Sequence, residues 1–173
     1  MSESGVKSHE DFVLPPSVVS RLDVSRLVSE LERVDNELTS DTIRHKVDEG
    51  HEVVKPLLSE QLNDFLSANE LTLDDDGDRG RLIKEMQKLK DTAPVIHMTF
   101  AVTADRESLA TLMNWLRDSV HKQAILAIGL QPSLVAGVYM RTPNHIHDFS
   151  LRAKLKENHG KLVGMLEELR GGQ

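Results

Sequence analysis

Apolar residues recur every three to four positions at Val24, Leu27, Val28, Leu31, Val34 and Leu38, the spacing of one face of an α-helix. Pro15-Pro16-Ser17 stands just before this stripe and reads as its start. A second stripe runs through Leu58, Leu62, Phe65 and Leu66, with Pro56 near its beginning and Ser59 in its first turn. A third, at Leu82, Ile83, Met86 and Leu89, follows the polar turn Leu73-Asp74-Asp75-Asp76-Gly77-Asp78. Between the first two stripes, residues 39–52 are dense in charge and histidine, and a solvated helix and a loop both fit them. The opening residues MSESGVKSHEDF lack the apolar core of a secretory signal, and residues 1–16 are expected to form a disordered tail.

Pro94 marks a change of period. Ile96, Met98, Phe100 and Val102 alternate with His97, Thr99 and Ala101, the pattern of a half-buried strand. Thr103-Ala104-Asp105 then caps a helix whose apolar face holds Leu109, Leu112, Met113, Leu116 and Val120. The eighteen uncharged residues from Gln123 to Met140 are long enough to suggest a membrane span, but Gly129, Gln131-Pro132-Ser133 and Gly137 interrupt them. Two short strands, 124–130 and 136–140, fit better, and residues 141–147 either extend the second strand or turn back as a hairpin. A closing helix from Asp148 or Ser150 carries Leu151, Leu155, Leu162, Leu166 and Leu169 and ends at Gly171-Gly172. The expected class is α+β: a helical bundle over 17–92, then a strand-helix-strand-strand-helix domain over 93–173.

The net charge of −7 is unevenly spread: residues 1–92 hold 12 Lys/Arg against 21 Asp/Glu, and residues 93–173 hold 9 against 7. So acidic a first half is a poor partner for phosphate backbones, and no nucleic-acid partner is expected. With aromatics at 3%, there is little to stack on bases or sugars. The absence of Cys removes disulfides, thiolate metal sites and cysteine catalysis.

The acidic turn at Gly77 has part of the pattern of a calcium loop. It would place Thr72, Asp74 and Asp76 at the first, third and fifth positions, but Ile83 falls where the bidentate Glu must stand. His145 and His147, two apart on a strand, would share a face beside Asp148, yet two ligands do not make a metal site. Nucleophile-elbow, P-loop and dinucleotide motifs are absent, so no catalytic residue, cofactor or metal is expected.

The run Pro132-Ser133-Leu134-Val135-Ala136-Gly137-Val138-Tyr139-Met140-Arg141, followed by Asp148-Phe149-Ser150-Leu151-Arg152-Ala153-Lys154-Leu155, resembles the C-terminal domain of the δ subunit of bacterial F-type ATP synthases. Its mitochondrial counterpart is the oligomycin-sensitivity-conferring protein. In that family a buried strand begins at a Pro/Lys-Ser-Leu/Met turn, passes a Gly and ends at an Arg. A hairpin and Asp-Gly-Ser-Val-Arg-Gly-x-Leu then open the last helix. The spacing agrees without a gap, and the likeness covers residues 93–169. Phe149 and Ala153 stand where the family has Gly. Asn63-Asp64-Phe65-Leu66 is similar to an element late in the family's six-helix N-terminal bundle, which is shortened in this chain.

The resemblance implies a non-catalytic stator subunit of the peripheral stalk. The family's bundle holds the N-terminal helix of the α subunit, a contact that the shortening puts in question. Its C-terminal domain meets the end of the coiled coil formed by the b subunit. Pro132, Ser133, Gly137, Arg141, Asp148, Phe149, Ser150, Leu151, Arg152 and Leu155 are the candidate family-motif or partner-binding residues. Physical chemistry accounts for several without a partner: Gly137 permits close packing, Asp148 or Ser150 caps the helix, and Leu151 and Leu155 face the core. The implied location is the cytoplasmic face of the membrane, held through the complex without insertion. A small adaptor or regulatory protein-binding domain with the same fold is the alternative.

Overall fold

A computed structural model describes residues 7–47, 55–142 and 144–171. The fold is α+β, with six α-helices and a four-stranded mixed sheet among those residues. Contacts divide the chain into two compact units. One runs to Pro94 and resumes over Leu109–Ile125; the other takes Val95–Ser108 and the chain from Leu126 onward. The division expected at residue 93 is therefore crossed by the helix Arg106–Ser119, whose buried Met113 and Leu116 belong with the helical unit.

The helical unit is built on α1 (Arg21–Val47), which packs chiefly on α3 (Asp76–Thr92) and more sparingly on α2 (Glu60–Asn69). The apolar stripes are what they bury: Val24, Leu27, Val28, Leu31 and Val34 from α1, Leu62, Phe65 and Leu66 from α2, Leu82, Met86 and Leu89 from α3. Helix α1 begins at Arg21, not after Pro15-Pro16-Ser17. Its start is set by a reciprocal cap in which the Asp23 carboxylate accepts from the Ser20 N–H at 2.8 Å and the Ser20 hydroxyl accepts from the Asp23 N–H at 3.3 Å. The charged stretch that fitted both helix and loop is helical to Val47; residues 48–52 lie outside the described residues. Ser59 caps α2 and Asp75 caps α3. The acidic turn is thus a helix start, and its charge meets the buried guanidinium of Arg79, which bonds Asp35 at 2.7 Å and Asp76 at 2.9 Å.

Residues 7–16 correct the expectation of a disordered tail. A short 3-10 turn at His9–Asp11 leads into Phe12, which is fully buried and meets Phe65 edge to face at 5.5 Å; Leu14 and Val18 are buried as well. This strap carries no regular hydrogen-bond ladder, so its backbone polar groups need other partners. Asn69 accepts from the Val13 N–H at 2.7 Å and donates to the Val13 carbonyl at 2.9 Å. Gln123 donates to the carbonyls of His9 and Phe12. Arg117, on α4 (Arg106–Ser119), donates to the carbonyls of Leu14, Pro15 and Val18. Burial draws the Arg117 pKa down to about 10, which leaves it cationic at neutral pH.

In the second unit the sheet order is β2-β1-β3-β4, with β1 Val95–Phe100, β2 Ile125–Leu130, β3 Val138–Arg141 and β4 Ile146–Asp148. The Ile125 N–H bonds the Pro94 carbonyl and the Gln131 N–H bonds the Phe100 carbonyl, so β1 and β2 run parallel, joined through α4. β1–β3 and β3–β4 are antiparallel, which resolves residues 141–147 as a hairpin. The uncharged segment suspected of spanning a membrane becomes β2 and β3, and no described helix is long and apolar enough to cross one. Strand β1 stops at Phe100 and leaves Val102 exposed; Val120 is likewise exposed, so neither belongs to a core.

The closing helix is two: α5 (Leu151–Glu157) and α6 (His159–Gly171), broken at Asn158. Leu151 and Leu155 do not face the core as expected. They are 41% and 49% exposed, and Leu166 and Leu169 farther on are 65% and 78% exposed.

Candidate functional site

The motif residues meet where β3 starts and α5 begins. After β2, Pro132–Leu134 forms a short 3-10 turn with Leu134 buried and Pro132 and Ser133 exposed. Val135 follows at φ 65° and ψ −54°, and the Ala136 N–H reaches back to the Leu134 carbonyl at 2.7 Å. That is a γ-turn of the rare positive-φ form, costly for a β-branched residue. Gly137, at φ 94°, then lets the backbone pass against Phe149 and Ser150. Three bonds close the seam: Ala101 N–H to the Gly137 carbonyl at 3.2 Å, Phe149 N–H to the Val138 carbonyl at 2.9 Å, and Leu151 N–H to the Ala136 carbonyl at 2.9 Å.

Ser150 is fully buried at this seam and caps α5 by accepting from the Ala153 N–H at 3.2 Å. Asp148 accepts from the Ser150 N–H at 2.9 Å. The hydroxyl and N–H of Ser150, helped by the Arg152 charge, hold the Asp148 carboxyl below the usual range. Of the two residues expected to cap the helix, Ser150 does so, and Asp148 braces it. Phe149, where the family has Gly, leaves its ring half exposed and stacks it on His147, with centroids 5.7 Å apart and planes 11° from parallel. His145 and His147 lie 6.1 Å apart by centroid. Among the described residues no three His, Asp or Glu gather as a metal site.

Register places Tyr139 opposite Asp148 and Arg141 opposite both His97 and Ile146. Tyr139, Asp148 and Arg152 therefore share the rim of an open hollow of about 670 Å³, together with Gln131, Leu134 and Lys156. Arg141 stands at the far end of its strand, apart from that group. The hollow mixes Arg152 and Lys156 with Asp148 and Glu157, so it has no net preference for an anion or a cation. Tyr139 and Lys156 were not singled out in the sequence; the β3–β4 register, which brings Tyr139 to Asp148, would have drawn attention to Tyr139, and nothing local marks Lys156.

An exposed apolar surface follows in the chain. Leu151, Leu155, Met165, Leu166 and Leu169 are all exposed on α5 and α6, and the side chain of residue 162 is outside those described. The helical unit has its own candidate surface, a recess of about 380 Å³ walled by Val34, Leu38, Leu58, Leu66 and Leu73. Arg79 shapes one wall by donating to the carbonyls of Leu73 and Asp74 at 3.0 and 3.4 Å. The chain matches no protein-family model, and no curated protein matches it in sequence.

Proposed function

We propose that the chain is a stator subunit of an F-type ATP synthase, a binding protein with no catalytic step of its own that ties the catalytic head to the peripheral stalk. The observation that carries this reading is the leucine stripe left uncovered on α5 and α6, immediately after the motif that resembles the δ subunit. Apolar surface displayed along consecutive helical turns is what a partner helix buries. The proposed occupant is the C-terminal coiled coil of the b subunit. The apolar recess of the helical unit supports a second attachment, for the N-terminal helix of the α subunit. Two such attachments give the protein its work: torque on the head is resisted only when both ends are held. The corresponding location is peripheral, on the cytoplasmic face of the membrane, without insertion.

One observation favours a narrower adaptor role. Three α-helices occur before Pro94 among the described residues, half the number in the family's bundle. Calorimetric titration with two peptides from the source organism decides: one is the N terminus of the α subunit, the other the C terminus of the b subunit. Binding of both is the expected result. Binding of the b peptide alone leaves the adaptor, and binding of neither overturns the stator reading.

A further inference from the structure

The sheet of the second unit buries one face and leaves the other open. Ile96, Met98 and Met140 lie on the same side and are buried. The residues between them lie on the opposite side, where the strand register sets them in two rows. His97 stands opposite Arg141, and Arg141 opposite Ile146; Thr99 stands opposite Tyr139, and Tyr139 opposite Asp148. The bonds from the Ile125 N–H to the Pro94 carbonyl and from the Gln131 N–H to the Phe100 carbonyl carry the rows onto β2, with Ala127 beside His97 and Gly129 beside Thr99. A β-carbon on Gly129 would lie 3.2 Å from the Thr99 hydroxyl oxygen, as that placement requires. His97 and Arg141 are exposed, Thr99 and Tyr139 half-buried, and Ala127 and Gly129 keep the β2 side of the face low.

The polar groups of this face are unspent. Among the described residues the side chains of His97, Tyr139 and Arg141 make no hydrogen bond or ion pair. The nearby carboxylate of Asp148 is already bonded by Ser150 and faces Arg152. Arg141 is thus a cation without a counter-charge, and His97 directly across from it adds a second donor. Like charges opposite one another on neighbouring strands are unfavourable, so an anion between the two gains from both. Tyr139 lies two residues along β3 from Arg141, about 7 Å away on the same face. A ring at that distance from a cationic pair suits a ligand with a planar base and a phosphate one sugar apart. The face has one aromatic ring, and the chain's net charge of −7 repels a polyanion, so the fit is to a single nucleotide and not to a strand.

We infer that this open face binds a nucleoside monophosphate, with its base on Tyr139 and its phosphate on Arg141 and His97. The floor is shallow, so binding is weak, with a Kd of about 1 mM. The site rests on the sheet alone and does not depend on the stator reading.

Amide-resolved NMR titration of the full chain with adenosine monophosphate, adenosine and inorganic phosphate gives the measurement. Adenosine monophosphate is expected to give saturable shifts centred on His97, Thr99, Tyr139 and Arg141, and each of the other two to bind about tenfold more weakly. Arg141→Gln weakens the nucleotide about tenfold and leaves adenosine unchanged. Tyr139→Leu weakens nucleotide and adenosine alike by about tenfold and leaves phosphate unchanged. Circular dichroism establishes that the variants fold; Arg141 is fully on the surface, so its variant alone decides if Tyr139→Leu does not. No saturable shift, shifts centred outside the two rows, a nucleotide that binds no more tightly than phosphate, or binding indifferent to Arg141→Gln overturns the proposal.

Discussion

A β-carbon on Gly137 would lie 2.3 Å from the carbonyl oxygen of Phe149 and 2.9 Å from the Cα of Ser150. Those are backbone atoms, tied by the bonds that close β3 onto the start of α5, so they cannot step aside singly. Gly137 also has φ 94°, a conformation that L side chains rarely adopt. The two penalties fall on one residue. Gly137→Ala is expected to cost about 2–4 kcal/mol in chemical denaturation. Gly164→Ala is the control: its added methyl meets nothing within 4 Å, and removing a glycine from a helix stabilises by about 0.5–1 kcal/mol. Loss of similar size in both variants would show that the seam at Phe149 is not what makes Gly137 necessary.

Asn69 works as a piece of backbone. Almost completely buried, it bonds the N–H and the carbonyl of Val13 and donates to the Phe65 carbonyl at 2.8 Å. Asn69→Ala strips all three at once and leaves the part-buried N–H and carbonyl of Val13 without their side-chain partner; a loss of about 2–3 kcal/mol is expected. Amide hydrogen exchange distinguishes this from general loosening. The Val13 N–H should exchange faster by a larger factor than the amides of α1, and equal acceleration throughout the unit would refute the local role.

The helices and strands were legible because their cores are periodic: Val24 to Val34 and Leu82 to Leu89 mark faces that the structure buries, and Ile96 and Met98 alternate as they should. The strap was not. Phe12 and Val13 find their partners at Phe65 and Asn69, more than fifty residues away, and Arg117 reaches Leu14 across about a hundred. Such pairs leave no local pattern, and the polar residues around Phe12 resemble a solvated tail. The opposite error occurred at Leu151 and Leu155, because a stripe of leucines reads the same whether it faces its own core or another molecule. At the candidate seam, the need for Gly137 was readable from the motif; the strained Val135 was not, since nothing about a valine announces a positive φ.

Arg117 is a cation held entirely by carbonyl oxygens: Leu14 at 2.9 Å, Pro15 at 2.8 Å, Val18, and Ala124 at 3.4 Å. The planar fork of a guanidinium reaches several acceptors at once, as an ammonium cannot. Arg117→Met is therefore expected to cost about 3 kcal/mol or more, because the carbonyls of the strap lose their donor. Arg117→Lys recovers only part of that loss. Equilibrium denaturation orders the three proteins; full rescue by lysine would mean that charge, and not the fork, is what the strap requires.

Glu85 gives the strap a dependence on pH. Its carboxylate accepts from Lys88 Nζ at 2.6 Å, from the His9 N–H at 3.0 Å and from His9 Nδ1 at 2.9 Å. Together, the Lys88 bond foremost, these lower its pKa from 4.5 to about 2. An unfolded chain therefore takes up this proton at a higher pH than the folded one does. The stabilisation is complete above about pH 4.5, shrinks as the pH falls below that value, and is gone once the folded carboxyl itself protonates near pH 2. Carbon-detected NMR titration of the Glu85 carboxyl is expected to give a midpoint well below 4.5, and Lys88→Met to raise it. Glu85→Gln should flatten the acid limb of the stability profile between those two values. A Glu85 midpoint at 4.5 in the wild type would mean that neither Lys88 nor His9 holds the carboxylate in solution, and that the strap is anchored by Asn69, Arg117 and Gln123 alone.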